Sequence, residues 1–270
     1  MGRFGKYFFI FKTSLQDYFV YRLNFVLWRV RAVMQLLILY FLWLTAYGGL
    51  NSVFGYSQAQ MLTYILGISL IRSYVLAARL SEQVGAQIIT GDVSNMLTKP
   101  ISYLRYIFSR DLSDKIINIL FSSIEIFIII AILKPPLILQ TNISFLTGTL
   151  LTIVIGLLLY FIFNFSLSLS AFWLHGDDWW APRFLFGIIL DFLAGGLFPI
   201  DALPNLAKQI VMLTPFPYLL FFPMKIYLGQ LDWFSISRGI LISLFWLVGL
   251  FIFQRWLWHR GLKAYVASGR

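Results

Sequence analysis

Apolar residues in this chain fall in blocks too long for the buried helices of a water-soluble domain. A helix needs about 20 predominantly apolar residues to cross the hydrocarbon core of a bilayer. Six runs approach or exceed that length: residues 32–50, 59–78, 116–133, 145–174, 184–198 and 236–257. Their polar interruptions are sparse, with Gln35 in the first, Arg72 in the second, Glu125 in the third and Asp191 in the fifth. The fourth run is long enough to tilt or protrude, and the fifth is short and ends in Gly195-Gly196-Leu197-Phe198-Pro199. Residues 205–228 are also apolar but contain Pro215, Pro217 and Pro223. Each proline removes a backbone donor and clashes with the preceding turn, so a re-entrant or interfacial hairpin fits better than a seventh span. At the other end, Phe4, Phe8, Phe11, Leu15 and Phe19 recur every three or four positions, while Arg3, Lys6, Thr13, Gln16 and Asp17 lie elsewhere on the helix. Residues 1–22 therefore read as an amphipathic interfacial helix whose cations are available to anionic headgroups, or else as a cytoplasmic extension of the first span.

Composition agrees with this pattern. Of 270 residues, 60% are hydrophobic and 12% charged, against roughly 25% charged in soluble domains. The absence of Cys excludes disulfides, thiolate metal sites and cysteine nucleophiles, and two His are too few for a His-rich metal centre. Residues 7–11 are too short an apolar stretch for a cleavable signal, and Lys12 interrupts them. The net charge of +10 admits nucleic acid as a partner, but the positions of the charges argue otherwise. With six spans and a cytoplasmic N-terminus, 16 of the 21 Lys and Arg fall in the inner segments 1–31, 79–115, 175–183 and 255–270. Lys134, Lys208, Lys225 and Arg238 fall outside, and Arg72 lies within the membrane. Seven spans would place the basic tail outside, against the positive-inside rule. The expectation is an all-α integral membrane protein in the plasma (inner) membrane, with both termini cytoplasmic. Its single domain, 1–270, carries six transmembrane helices, the N-terminal interfacial helix and a re-entrant hairpin between spans five and six.

Several polar groups invite a chemical role. Residues 79–103 form the longest inner segment between spans. Residues 79–89 read as a helical extension of span two; Gly91 closes it in a left-handed conformation, and Asp92 or Ser94 caps a following turn. Pro100 then moves Lys99 out of helical geometry. This is a compact helix-turn unit or an ordinary solvated loop. Glu125 sits near the middle of its span, where an ionisable group faces protein or water. It lines a pathway or pairs with another helix, Arg72 being one partner of suitable depth. Asp191 reads as a cap or a helix–helix hydrogen-bonding group. Asn164, Ser166, Ser168 and Ser170 do not share one helical face, and some of them are expected to support helix packing. His175-Gly176-Asp177-Asp178 lacks metal-ligand spacing and reads as an interfacial loop.

Three segments, taken together, resemble the permeases of ABC type-2 exporters, in the branch with stand-alone six-helix subunits. They are Met61-Leu62-Thr63-Tyr64-Ile65-Leu66; residues 88–103, with Gly91-Asp92, Ser94, Leu97, Lys99 and Pro100; and Gly196-Leu197-Phe198-Pro199-Ile200-Asp201-Ala202-Leu203-Pro204, continued by Leu213-Thr214-Pro215-Phe216-Pro217-Tyr218. The resemblance covers essentially the whole chain. It implies an N-terminal elbow helix (1–22), a cytoplasmic coupling region (79–103) and an extracytoplasmic re-entrant region (199–232) marked by Gly196, Phe198, Pro199, Pro204 and Pro215. It further implies two permease subunits, identical or related, around a central path, with two ABC ATPase subunits beneath. The coupling residues would be Arg79, Glu82, Gln83, Ile88, Gly91, Asp92, Met96, Leu97, Lys99 and Pro100. The chain has no Gly-x-x-x-x-Gly-Lys-Ser/Thr loop. It is therefore expected to be no enzyme and to bind no cofactor, ATP and Mg belonging to the partner ATPase. Two other readings remain: a secondary transporter or channel using Glu125, Arg72 and Asp191, and a lipid-modifying enzyme, for which no nucleophile–base cluster is evident.

Overall fold

The structure is a computed structural model that describes residues 3–20, 22–77, 80–174 and 180–265. Arg79 and the His175–Asp178 cluster lie outside the described residues, as does the side chain of Glu82. In chain order the α-helices are α1 (Arg3–Val20), α2 (Arg22–Ala46), α3 (Gln58–Val75), α4 (Leu80–Ile89), α5 (Val93–Leu97), α6 (Tyr103–Leu133), α7 (Ile143–Ser168), α8 (Trp180–Leu193), α9 (Asn205–Met212), α10 (Phe221–Tyr227) and α11 (Trp233–Ala264). Among the described residues there is no strand, only an isolated bridge between Val53 and Tyr56.

Among the described residues, four helices are long and apolar enough to cross a membrane: Leu23–Ala46, Tyr103–Leu133, Ile143–Phe172 and Trp233–Ala264. They expose large apolar side chains along their length, among them Leu27, Ile38, Phe127, Ile132, Leu150 and Phe245. A water-soluble monomer does not present such a surface, but a bilayer removes the cost. The other two predicted spans are shorter. Residues 59–78 correspond to α3, which ends at Val75, and 184–198 correspond to α8, 14 residues ending at Leu193. At 1.5 Å per residue α8 is about 21 Å long, short of the roughly 30 Å hydrocarbon thickness. Gly195, with φ of 78°, takes the chain out of the helix before Pro199 is reached.

Two further boundaries differ from expectation. The first long helix starts ten residues before the predicted run, so Arg29 lies on it and not in a flanking segment. α6 starts at Tyr103, thirteen residues before the predicted run, because its polar first half rests on α1 and is sheltered there. The Ser113 hydroxyl of α6 donates to the Phe11 carbonyl of α1 (2.9 Å).

Packing forms three connected layers of core. The central one joins Leu36 and Trp43 of α2, Tyr64, Ile65 and Ile68 of α3, Leu159 of α7, Leu190 of α8, and Phe221 and Met224 of α10. A second, at one end, joins Val84, Ile88 and Val93 to Tyr103 and Ile107 of α6 and to Phe161, Phe165 and Leu169. A third, smaller one gathers Tyr218, Phe222, Ile226 and Ile236. Ser57 and Gln60 form a capping box at the start of α3, and Met61 through Leu66 are all buried behind it.

Candidate functional site

α4, α5 and their joint form one compact unit at the end of the bundle. α4 stops at Ile89, Gly91 turns the chain at φ 82°, and α5 runs for five residues. Asp92 precedes α5, but its side chain makes no cap to the α5 amides; its carboxylate accepts from the Thr90 hydroxyl (2.7 Å). Ser94 donates to the Gly91 carbonyl (2.7 Å). The capping expected of Asp92 is thus replaced by a brace across the turn.

This unit has two faces. Val84 and Val93 are fully buried and Ile88 nearly so, packed on α6, α7 and the turn Leu169–Phe172. Tyr103 donates to Gln87 (2.7 Å) and stacks on Trp258 of α11 at 5.2 Å between ring centroids. Gly91 is buried, and Gln83 and Met96 are half-buried. Asp92, Asn95, Leu97, Thr98, Lys99 and Pro100 face outward, with Leu97 46% exposed. The proposed coupling residues therefore divide: Ile88 and Gly91 shape the unit, while Asp92, Leu97, Lys99 and Pro100 form its ridge.

The joint between α3 and α4 is not the continuous helix expected of residues 79–89 joined to span two. Helix α3 ends at Val75, and its C-terminal carbonyls are held by Lys115 of α6, whose Nζ donates to Val75 (2.8 Å) and Ala77 (2.9 Å). The ammonium is fully buried, lies 3.4 Å from the equally buried Asp111 one turn earlier, and sits 5.6 Å from the Tyr160 ring centroid. A cation at a helix C-terminus is favourable, and a buried one needs such partners. Sequence reasoning had counted Lys115 among inner loop cations; its only sequence signal was the i, i+4 spacing from Asp111.

Glu125 and Arg72 do not pair with each other. Glu125 receives Arg29 of α2 on both carboxylate oxygens, with Nε at 2.7 Å from Oε1 and Nη2 on Oε2. The same guanidinium donates to Ser122 (2.9 Å) and Asn118 (3.2 Å). Asn118, Ser122 and Glu125 form a helical stripe at i, i+4 and i+7, which was the readable hint of a polar partner. Arg72 instead pairs with Asp191 of α8 through Nη2 and Oδ1. Gly196 makes room for that pair, since a Cβ there would lie 3.1 Å from Arg72 Nη1 and 3.2 Å from the Asp191 carbonyl.

The segment after α8 is tied by a carboxylate that sequence reasoning did not single out. Asp201 accepts from Lys208 (2.6 Å), Lys225 (2.9 Å) and the Tyr56 hydroxyl (2.7 Å), joining the α2–α3 connection to α9 and α10. Burial alone would raise the Asp201 pKa, but the bonds from Lys208, Lys225 and Tyr56 outweigh it and hold the carboxyl below its usual range. Tyr64 donates to the Gly195 carbonyl (2.7 Å), and the Phe221 amide to that of Ala194 (3.1 Å). Of the expected motif residues, Pro199 and Pro215 are buried, Phe198 packs edge-on against Phe192 at 5.1 Å, and Pro204 is exposed.

Long lipid-compatible helices stitched by interhelical ion pairs define a multi-pass α-helical membrane protein. The family described as ABC-2 family transporter protein matches residues 33–269, and the chain belongs to that family. It is thus a membrane transport component, of a family that implies partnership with ABC ATPase subunits. Among curated proteins, none matches the chain.

Two predictions concern the ties. Arg29→Met alone leaves the partly buried Glu125 without its cation and should cost about 2–4 kcal/mol, at or below the range for fully buried pairs. The double variant R29M/E125L should recover most of that loss, a non-additivity readable in a double-mutant cycle of denaturant unfolding. Asp201 has a folded-state pKa below its unfolded value. Its contribution is therefore fully present at neutral pH, above the unfolded carboxylate range near about 3.9. It is lost as pH falls through the lower folded value. The stability gap between wild type and Asp201→Asn should stay constant from pH 8 to pH 6 and close only in acid.

Proposed function

We propose that this chain is the permease subunit of an ATP-driven exporter, crossing the membrane six times, with α3 and α8 as the two short spans and the segment from Pro199 to Asp232 as a re-entrant region on the outer side. In this reading two such permeases, identical or related, enclose the substrate path, two ATPase subunits bind beneath them, and α4–α5 is the coupling element. The observation that carries it is the two-faced α4–α5 unit. Its inner wall is locked into the helix bundle, while Asp92, Leu97, Lys99 and Pro100 project from it. A push on that ridge meets α7 directly and reaches α11 through Tyr103 of α6, while Lys115 anchors the joint to α3. With Arg29 and Lys115 reassigned to buried ties, fourteen cations remain on the proposed inner side against four on the outer, which supports the same orientation. The secondary-transporter reading needs a titratable ion path, but Glu125 and Asp191 are each taken up by an arginine on a neighbouring helix.

The chain contains no cysteine, so single cysteines report topology cleanly. Asn95→Cys should react with an impermeant thiol reagent only after the cytoplasmic face is opened, and Leu206→Cys, on the exposed face of α9, should react in intact cells. Leu97→Asp should reduce recovery of the ATPase subunit by about tenfold or more while thermal unfolding of the permease stays unchanged. Labelling of Asn95→Cys from outside would overturn the orientation, and undiminished ATPase recovery with Leu97→Asp would remove the coupling assignment.

A further inference from the structure

An open cavity of about 270 Å³ lies between α1 and the start of α6, lined by Lys6, Tyr7, Pro100, Ile101, Ser102 and Arg105. Two of the six are cations from different elements, two carry hydroxyls, and no carboxylate is among them. The walls are held in place by α1 itself: the Ser102 amide donates to the Tyr7 hydroxyl (3.1 Å), and one helical turn after Tyr7 the Phe11 carbonyl takes the Ser113 hydroxyl (2.9 Å). The Ser102 hydroxyl is not spent on capping α6, whose amide end opens at the same place and adds positive potential. Just beyond Tyr7, Phe8 and Phe9 are 68% and 56% exposed, an apolar pair beside the charged hollow.

We infer that this cavity is a binding site for the phosphodiester headgroup of an anionic phospholipid. Its size lies at the lower end for a ligand pocket, and its lining is polar where a drug-sized apolar ligand would need hydrophobic walls. Lys6 and Arg105 face the phosphate, Arg105 supplying a planar fork and Lys6 a point charge. Ser102 and Tyr7 complete the hydrogen bonding, and the acyl chains lie along Phe8 and Phe9. A basic hollow at the cytoplasmic surface is where anionic lipids are captured. Because Pro100 and Ile101 join α5 to α6, an occupied site fastens the elbow helix to the base of the coupling element. The inference rests on reading α1 as an interfacial helix on the inner face.

The test is native mass spectrometry of the purified full-length chain, titrated with phosphatidylglycerol or phosphatidylcholine. Wild type should retain one tightly bound phosphatidylglycerol and show no matching phosphatidylcholine site. The K6Q/R105Q variant should bind phosphatidylglycerol about tenfold or more weakly, K6R/R105K should keep it, and Lys12→Gln, an exposed cation on the same helix outside the cavity, should behave as wild type. Absence of a selective site in wild type overturns the proposal without any variant. Equal losses in K12Q and K6Q/R105Q overturn it too, since they indicate summed surface charge. Displacement of the lipid by millimolar inorganic phosphate assigns the hollow to a soluble anion and overturns the lipid source. ATPase recovery with K6Q/R105Q, measured alongside, separates this result from the coupling assignment, which does not depend on the hollow.

Discussion

Helix α3 ends inside protein, and its last carbonyls must find donors there. Val75 is fully buried and Ala77 partly so, and an unmet buried carbonyl costs about 1–3 kcal/mol. Lys115 supplies both donors from the neighbouring helix, and it is itself tolerable only because Asp111 and those carbonyls surround it. The dependence is mutual. Without the break after Val75 the chain would continue straight, and α4 could not fold back onto α7 and the Leu169–Phe172 turn. Without Lys115 the break would expose a polar end to an apolar interior. That charge and the packing of Val84, Ile88 and Val93 together hold the α4–α5 unit in place.

The same logic recurs at two other levels of the bundle. Arg29 joins α2 to α6 through Glu125, and Arg72 joins α3 to α8 through Asp191. In lipid, apolar faces gain little by packing on one another, because the acyl chains are as apolar as leucine. Ionic ties therefore carry a larger share of the specificity of neighbours than they would in a water-soluble core. The bidentate Arg29–Glu125 pair also restricts sliding, since it loses its matched geometry when either helix shifts. The helices are held in register while their outward surfaces stay free to meet lipid or protein.

Much of the scaffold was legible. Four of the six long apolar runs overlap the helices long enough to cross a membrane, Pro215, Pro217 and Pro223 predicted that residues 205–228 are not one continuous helix, and Gly91 predicted a sharp turn. What escaped were the places where a cation is used inside. Arg29 and Lys115 stand at the edges of apolar runs, where a basic residue ordinarily belongs to a loop, and only tertiary packing reveals that both are enclosed. Arg72 is one partner that depth allows for Glu125, yet it pairs with Asp191, because depth along a helix says nothing about rotation around it. Asp201 was hidden for a similar reason: its three donors come from positions 56, 208 and 225, and no local spacing joins them. Helix ends were misjudged where polar residues are sheltered by α1, as in the first half of α6, since hydropathy cannot see a neighbouring helix.

In the coupling role proposed for it, the α4–α5 unit must be stiff toward the bundle and open toward its driver, and these demands conflict in a five-residue helix. α5 alone is far too short to be stable by its own hydrogen bonds. Its rigidity is borrowed from Val93 beneath it, from the braced turn at Thr90 and Asp92, and from the aromatic stack of Tyr103 on Trp258 behind it. That stack matters for direction. It ties the unit to α11 as well as α7, whereas Lys115 ties the end of α3 to α6. In the proposed role, a load on Leu97 is therefore shared among several helices and does not merely bend α4. Stiffness reached this way needs no long helix at the surface, and the exposed ridge keeps side chains such as Leu97 and Lys99 available for a partner to grip.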